Sequence, residues 1–273
     1  MPRTTRTPVP APPTRTAAQA AHAALGYQLR APREPGDKWV TMSNALTRAG
    51  HGLTLPEKRM IMCAVAQLDS CKRIPYGEVL RTKITASDYA ELFDLDPNSA
   101  YEQLKNGAKV LYSRSVTFFE AAHKRGGKDL VKVQMRWIGS ARYQEGEAWV
   151  ELAWWPDLLP HLVGLRQQFT SYQLKQASAL RSVYSWRLLE LLMRFEGTGW
   201  AEYTIEDFCA SMEASEKTAA DFGKIRTKII EPAIKELTQK DGWLIEYKTI
   251  KRGRKVTGLR FEFGRNPQQS LGL

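Results

Sequence analysis

The residues that could do covalent or metal chemistry in this chain are few and scattered. The four histidines stand at His22, His51, His123 and His161, so there is no His-x-His pair to seat a metal beside a nucleophilic tyrosine. Cys63, Cys71 and Cys209 are odd in number and show no CxxC or Cys/His spacing for zinc. They predict reduced thiols, with Cys63 and Cys209 as small apolar filler inside helical patterns. Gly126-Gly127-Lys128 lacks the spacing of a phosphate loop and reads as a turn. Asp94-Leu95-Asp96 offers two carboxylates, but Asp96 precedes Pro97, and this order suits the end of one helix and the cap of the next. The sequence therefore predicts no catalytic residue, no metal site, no cofactor and no enzyme. What remains is cationic: Lys251-Arg252-Gly253-Arg254-Lys255, the run from Lys224 to Lys228, and His123-Lys124-Arg125-Gly126-Gly127-Lys128. Ammonium and guanidinium groups at this density bind phosphate oxygens.

The whole chain shares that bias. Forty Lys and Arg against 29 Asp and Glu give a net charge of +11 over 273 residues. Such charge fits a polyanionic partner, and alone leaves DNA, RNA and an anionic membrane surface open beside simple solubility. No stretch approaches the ~20 apolar residues of a spanning helix, and Met1-Pro2-Arg3-Thr4 lacks the apolar core of a secretory signal. These features, with the cysteine usage, predict a cytoplasmic protein with no membrane partner. Seven of the 14 prolines lie in residues 1–38, which read as a disordered Pro/Arg-rich tail of net charge +4. The remaining +7 belongs to the part expected to fold.

The elements that must position the cations follow a repeated order. Leu55 to Asp69 places Ile61, Val65 and Leu68 on one helical face, with Thr54, Pro56 and Glu57 at its start. Thr85 opens a short helix through Phe93. Asp96 and Pro97 open a longer one to about Tyr112, with Tyr101, Leu104, Ala108 and Leu111 inward. Strand patterns follow at Ser115 to Glu120, Leu130 to Ile138 and Ala148 to Trp154. After a helix and linker around Trp155 to Phe169, the order returns. A helix covers Ala177 to Arg194, a short helix begins at Thr204, and a long one runs from Thr218 to Gln239. A hairpin closes the second copy, Trp243 to Ile250 and Lys255 to Phe263, around the turn at Lys251 to Arg254. Thr85-x-x-Asp88-Tyr89 matches Thr204-x-x-Asp207-Phe208 at an offset of 119, and Tyr101-x-x-Leu104 matches Phe222-x-x-Ile225 at an offset of 121.

Helix, short helix, longer helix and hairpin is the order of a winged helix, whose longer helix fits the major groove and whose hairpin reaches phosphates. The sequence thus predicts an α+β protein of two tandem winged-helix domains, 39–168 and 169–265, between tails at 1–38 and 266–273. In the second copy Phe222, Ile225, Ile229, Ala233 and Leu237 would face inward. Lys224, Thr227, Lys228 and Lys235 would face outward with Arg226 at the margin, beside the wing cations Lys251, Arg252, Arg254 and Lys255. The equivalent face of the first copy would hold Gln103, Lys105, Asn106 and Lys109, then Arg114, with Lys124, Arg125 and Lys128 at the wing tip. The bland alternative for each is a solvated helix face, where lysine usually sits.

Three segments then identify a resemblance. Ser182-Val183-Tyr184-Ser185-Trp186-Arg187-Leu188-Leu189-Glu190-Leu191-Leu192 resembles the "SxYSxRLYELL" helix of the Rep initiator superfamily of iteron-containing, theta-replicating plasmids. Ile230-Glu231-Pro232-Ala233-Ile234-Lys235-Glu236-Leu237 resembles its "LxPAIKEI" stretch, and Lys251 to Val256 its "KRGRKV" wing. Asn44-Ala45-Leu46 and Leu53-Thr54-Leu55-Pro56-Glu57 are similar to its "NxL…LTxxE" opening. The resemblance spans residues 40–264. It implies that the second domain reads repeated origin sequences, iterons, with Lys224, Arg226, Thr227 and Lys228 at the double-stranded DNA. It implies that the first domain adds DNA contacts and forms a homodimer in equilibrium with monomer. It further implies that monomers open the origin with the host initiator ATPase and replicative helicase, and that dimers repress their own gene. Gly223 and Ile225 interrupt the denser basic run usual in the family, and Pro232 should break a hydrogen bond and bend its helix. A winged-helix transcriptional repressor is the alternative reading of the same residues.

Overall fold

The computed structural model describes residues 35–266 apart from Tyr76, residues 122–129 and Glu145. The predicted tail at 1–38 falls almost wholly outside the described residues, as do residues 267–273 of the C-terminal tail.

The first winged helix begins with strand β1, Trp39–Ser43, and the short helix α1, Asn44–Arg48. Helix α2, Leu55–Val65, follows, started by Thr54, whose N–H donates to Glu57 Oε2 at 2.9 Å. It stops at Val65 rather than Asp69. The pattern suggested one apolar face, yet every residue from Glu57 to Val65 is buried. The helix runs through the centre of the folded unit, so its charged residues are buried with the rest. Strand β2, Arg81–Thr85, leads into α3, Ala86–Phe93, where the Thr85 hydroxyl accepts from Asp88 N–H at 3.1 Å. Asp94 ends that helix in the left-handed region, and Asp96 caps α4, Pro97–Leu111, through Ser99 N–H at 2.9 Å. Gly107 keeps α4 close to α2, because a Cβ there would stand 2.9 Å from Met60 Cε.

Four strands then follow, where the sequence pattern suggested three: β3, Ser115–Ala121; β4, Leu130–Arg136; β5, Ile138–Tyr143; and β6, Trp149–Trp154. Their pairing corrects the predicted wing. Strands β3 and β4 form a separate two-stranded hairpin, whereas β2, β6 and β5 form a sheet in that order. In the second copy β8, Trp200–Thr204, β9, Trp243–Arg252, and β10, Lys255–Arg265, form a sheet in the order β8-β10-β9. The two orders correspond strand for strand. The wing of the first copy is therefore β5–β6, and β3–β4 is an insertion ahead of it. Alternation and a Gly-containing turn identify a hairpin, but not which hairpin the strand before the second helix will pair with.

Strand β7, Phe169–Gln173, pairs antiparallel with β1 across about the whole length of the first copy, Trp39 opposite Gln173 and Ser43 opposite Phe169. The predicted helix from Ala177 to Arg194 is two helices, α5, Lys175–Ser178, and α6, Val183–Met193. The break is held by side chains: Ser182 Oγ accepts from Tyr184 N–H, and Arg59 Nη2 donates to the Leu180 carbonyl at 3.0 Å. Helices α7, Ile205–Ser211, and α8, Glu216–Ala219, follow β8. The long helix then runs as α9, Phe222–Ile225, a π turn at Arg226–Ile230, and α10, Glu231–Asp241. The π turn supplies the break that Pro232 demands. Proline has no N–H to donate and its ring crowds the carbonyl four residues back, and a widened turn just before it relieves both. The extra residue buries Ile230 along with Ile225, Ile229, Ala233 and Leu237.

Candidate nucleic-acid interface

In the second winged helix the cations form two adjoining groups. On the long helix Arg226, Thr227 and Lys228 are three successive exposed residues between buried Ile225 and Ile229, and Lys235 is exposed further along. Lys224 is half-buried. Asp221 caps the start of α9 through Gly223 N–H at 2.8 Å, and that bond, with Lys224 at 3.4 Å, holds its carboxyl below the usual range. Arg226 lies 3.5 Å from Glu231. The Thr227 hydroxyl donates to the Gly223 carbonyl at 2.8 Å, which leaves its methyl as the group free to meet a base. Lys228 has no ion pair among the described residues, so its charge is uncompensated there.

The wing differs from the helix in how freely its charges stand. Strand β8 pairs with β10 only from Gly258 to Glu262, so the hairpin beyond Gly258 projects past the sheet. A register shift between Val256 and Gly258 marks a bulge at its base, which bends the paired strands. Arg252 pairs with Lys255 across a two-residue turn, where Gly253 takes φ +63°, a value that favours glycine. Lys251, Arg252, Arg254 and Lys255 are all exposed, with no ion pair among the described residues. Like charges crowded on a projecting turn repel one another and gain when a polyanion arrives.

The first winged helix presents a different surface. Among the described residues its wing tip holds Gln144, Gly146 and Glu147 in place of cations. It is also tied down: Gly146 N–H donates to the Tyr101 hydroxyl at 3.3 Å, and Ala86 N–H to the Ala148 carbonyl at 2.7 Å. Of the residues the sequence placed on the outer face of α4, Asn106 and Lys109 are exposed and Lys105 half-buried. Lys105 lies over Tyr101 and Lys109 over Tyr143, at 5.8 and 6.0 Å from the ring centres. Gln103 turns inward, its Oε1 accepting from the Tyr89 hydroxyl at 3.3 Å. Arg114 spends two guanidinium nitrogens on Glu57, at 3.0 and 2.9 Å. Lys124, Arg125 and Lys128 lie outside the described residues.

Between the two copies lies a buried polar cluster that the sequence reading missed. Lys58 of α2 donates to both carboxylate oxygens of Glu190 on α6 at 2.9 Å, and both side chains are fully buried. The Tyr172 hydroxyl also donates to Glu190 at 2.9 Å and accepts from Trp186 Nε1 at 2.8 Å. His51 Nε2 faces the Leu46 carbonyl at 2.8 Å, while Nδ1 faces Lys58 Nζ at 3.2 Å and Arg187 Nη1 at 3.1 Å. Arg187 donates from Nη2 to the Ala49 carbonyl at 2.8 Å and from Nε to the Ser211 carbonyl at 2.8 Å. Burial, then the neighbouring Arg187 and Lys58, hold the His51 imidazole well below its ordinary pKa and therefore neutral. Burial draws the Lys58 ammonium down to about 8 against the pull of Glu190, so it is still charged at neutral pH. The available signal was the pair Arg187 and Glu190, three residues apart in an otherwise apolar helix.

No group of three His, Cys, Asp or Glu side chains converges on a metal site among the described residues, and no described helix is long and apolar enough to cross a membrane. Two winged helices in series, the second with an exposed basic helix and a projecting basic wing, define a tandem winged-helix DNA-binding protein. Residues 39–193 match the family Initiator Replication protein, WH1, and residues 204–263 match Initiator Rep protein, WH2. The chain belongs to this family of replication initiators, which are DNA-binding proteins and not enzymes. The first match ends with α6, the helix that carries Arg187 and Glu190. The chain is 27% identical over 252 residues to the PI protein of Escherichia coli, covering 81% of this chain and 80% of that one. It is 23% identical over 237 residues to a replication initiation protein of Escherichia coli, covering 85% and 71%. In fold it is similar to the Pi initiator protein solved in complex with iteron DNA, at a TM-score of 0.70 and 23% identity, over 85% of this chain and 99% of that one.

Proposed function

We propose that this protein initiates replication of a plasmid by binding iterons as a monomer, with residues 169–265 as the reading domain. The observation that carries the reading is the uncompensated, projecting wing of Lys251, Arg252, Arg254 and Lys255 beside the exposed run Arg226, Thr227 and Lys228. The wing supplies phosphate contacts that fix register, and the helix supplies groups able to reach base edges in the major groove. The Pi initiator of similar fold, solved with iteron DNA, supports the same reading. Residues 39–168 contribute secondary DNA contacts through Lys105, Asn106 and Lys109 and form the dimer that represses the protein's own gene. Origin opening uses the host initiator ATPase and replicative helicase, since the protein itself carries no nucleotide-hydrolysing motif in its sequence.

The test begins with DNA flanking the gene. The full chain should bind direct repeats there in a gel-shift assay, with affinity falling steeply as salt rises. With the host ATPase and helicase added, permanganate should reveal unpaired thymines in adjacent A·T-rich DNA. Repeat binding without any such reactivity would favour the repressor reading over initiation. Binding to no repeat would remove both.

A further inference from the structure

The motif helix α6 is the part of the chain that DNA reading leaves unexplained, because its two charged residues, Arg187 and Glu190, are buried and face away from solvent. What they touch is the other winged helix. Arg187 bridges the two copies with one guanidinium, donating to Ala49 before α2 and to Ser211 at the end of α7. A planar guanidinium satisfies both carbonyls only in one relative placement. Glu213, just past α7, reaches back across the same seam, accepting from His51 N–H at 2.9 Å and Gly52 N–H at 2.8 Å. Lys58, Glu190 and Tyr172 close the cluster from α2, α6 and β7. The grip therefore falls on α7, the short helix that leads into the reading helix.

An apolar seam could hold two domains together with less desolvation, and buried ion pairs are poor sources of stability. Directional bonds differ from apolar contacts in fixing an angle as well as a distance. We infer that the Lys58–Glu190–Arg187–His51 cluster, with Glu213, is a positioning device that sets the relative orientation of the two winged helices and so the spacing at which both can engage one duplex. This deepens the DNA-binding reading and rests on it for its second half only.

The experiment separates orientation from stability and from DNA. Spin labels at Glu91→Cys on α3 and Gln239→Cys on α10, with Cys71→Ser to remove the exposed native thiol, report the distance between the copies in the full chain without DNA. The parent should give one narrow distribution. The double variant Lys58→Met/Glu190→Leu removes the Lys58–Glu190 pair together and leaves Arg187 on the Ala49 and Ser211 carbonyls, so its thermal midpoint should fall less than that of either single variant. Its distance distribution should nevertheless broaden, and its affinity for the repeat duplex should fall about tenfold or more as preorganisation is lost. Glu213→Ala, at an exposed position, gives the same test if the core variant does not fold. Glu213→Gln keeps one of the two accepting oxygens and should restore part of the narrow distribution. A folded double variant, or Glu213→Ala, with the parent's distribution and affinity would overturn the inference. A parent that binds no duplex would sink the DNA reading, and the distance measurement would still decide the role of the cluster.

Discussion

The two winged helices share a fold and differ in chemistry. Both begin their second helix with a threonine that accepts an N–H from the aspartate three residues on, and both pair the strand before that helix with the last strand of the wing. In the first copy the wing tip is acidic and tied to Tyr101, and the outward helix has Gln103 and the following Arg114 drawn into contacts with Tyr89 and Glu57. In the second the wing is basic, projects past the sheet, and adjoins a helix that holds three successive polar residues outward between Ile225 and Ile229. The fold repeats because it is set by buried residues and caps. The chemistry diverges because exposed tips are free to vary without cost to the core. The difference supports the proposal that the second copy reads DNA.

The sharpest way to break that assignment is at the basic wing. Arg252→Glu with Arg254→Glu should weaken binding to the repeat duplex by roughly two to three orders of magnitude at low salt and flatten the salt dependence by about two contacts. A gel-shift titration across salt concentrations checks both, and an unchanged slope would take the wing off the DNA. Next is the reading helix. Lys228→Ala should cost about 1–3 kcal/mol and relax preference at one base position, as seen by selection from a randomised repeat. A uniform loss across all sequences would make Lys228 a phosphate contact instead. Arg226→Ala should have the smaller effect of the two, because Glu231 already compensates that charge.

A third test concerns the seam between the copies. The folded protein depresses the pKa of His51, so the unfolded chain takes up a proton there first as pH falls. The stability held by neutral His51 is complete above its ordinary value near 6.5 and is lost as pH falls toward the depressed one, by up to about 1.4 kcal/mol per pH unit. Denaturant melts between pH 7 and pH 5 should show this slope and show it reduced in His51→Gln. The smallest expected effect is at the first wing, where Glu147→Ala should change DNA affinity by less than about 0.5 kcal/mol. A gain of tenfold would show that this wing approaches phosphate after all.

Much of this arrangement is legible in the sequence. The caps at Thr85, Asp96 and Thr204, the inward faces of both longer helices, and the wing around Gly253 are all present as read. Each is a local feature, in which a side chain acts on backbone within four residues or a hydrophobic period matches a helix or strand. Periodicity predicts continuous long helices where the structure breaks them. Ser182 and Asp221 were available as caps, but periodicity on either side carried across them.

Local residue patterns set which segments form helices and hairpins, most of their caps, and the charge on the second hairpin. Those outcomes depend on residues a few positions apart, whose interactions are the same in any fold. Long-range pairing in the folded chain makes β5–β6 and not β3–β4 the first wing, joins β1 to β7 across 130 residues, and sets Arg114 against Glu57. It alone makes Lys58 and Glu190 partners in the interior, 132 residues apart. A charge is ordinarily read as surface, because burying it unpaired costs several kcal/mol, of order 3–5 when a partner is missing. Only the folded chain, by bringing the opposite charge to 2.9 Å, makes that burial tolerable.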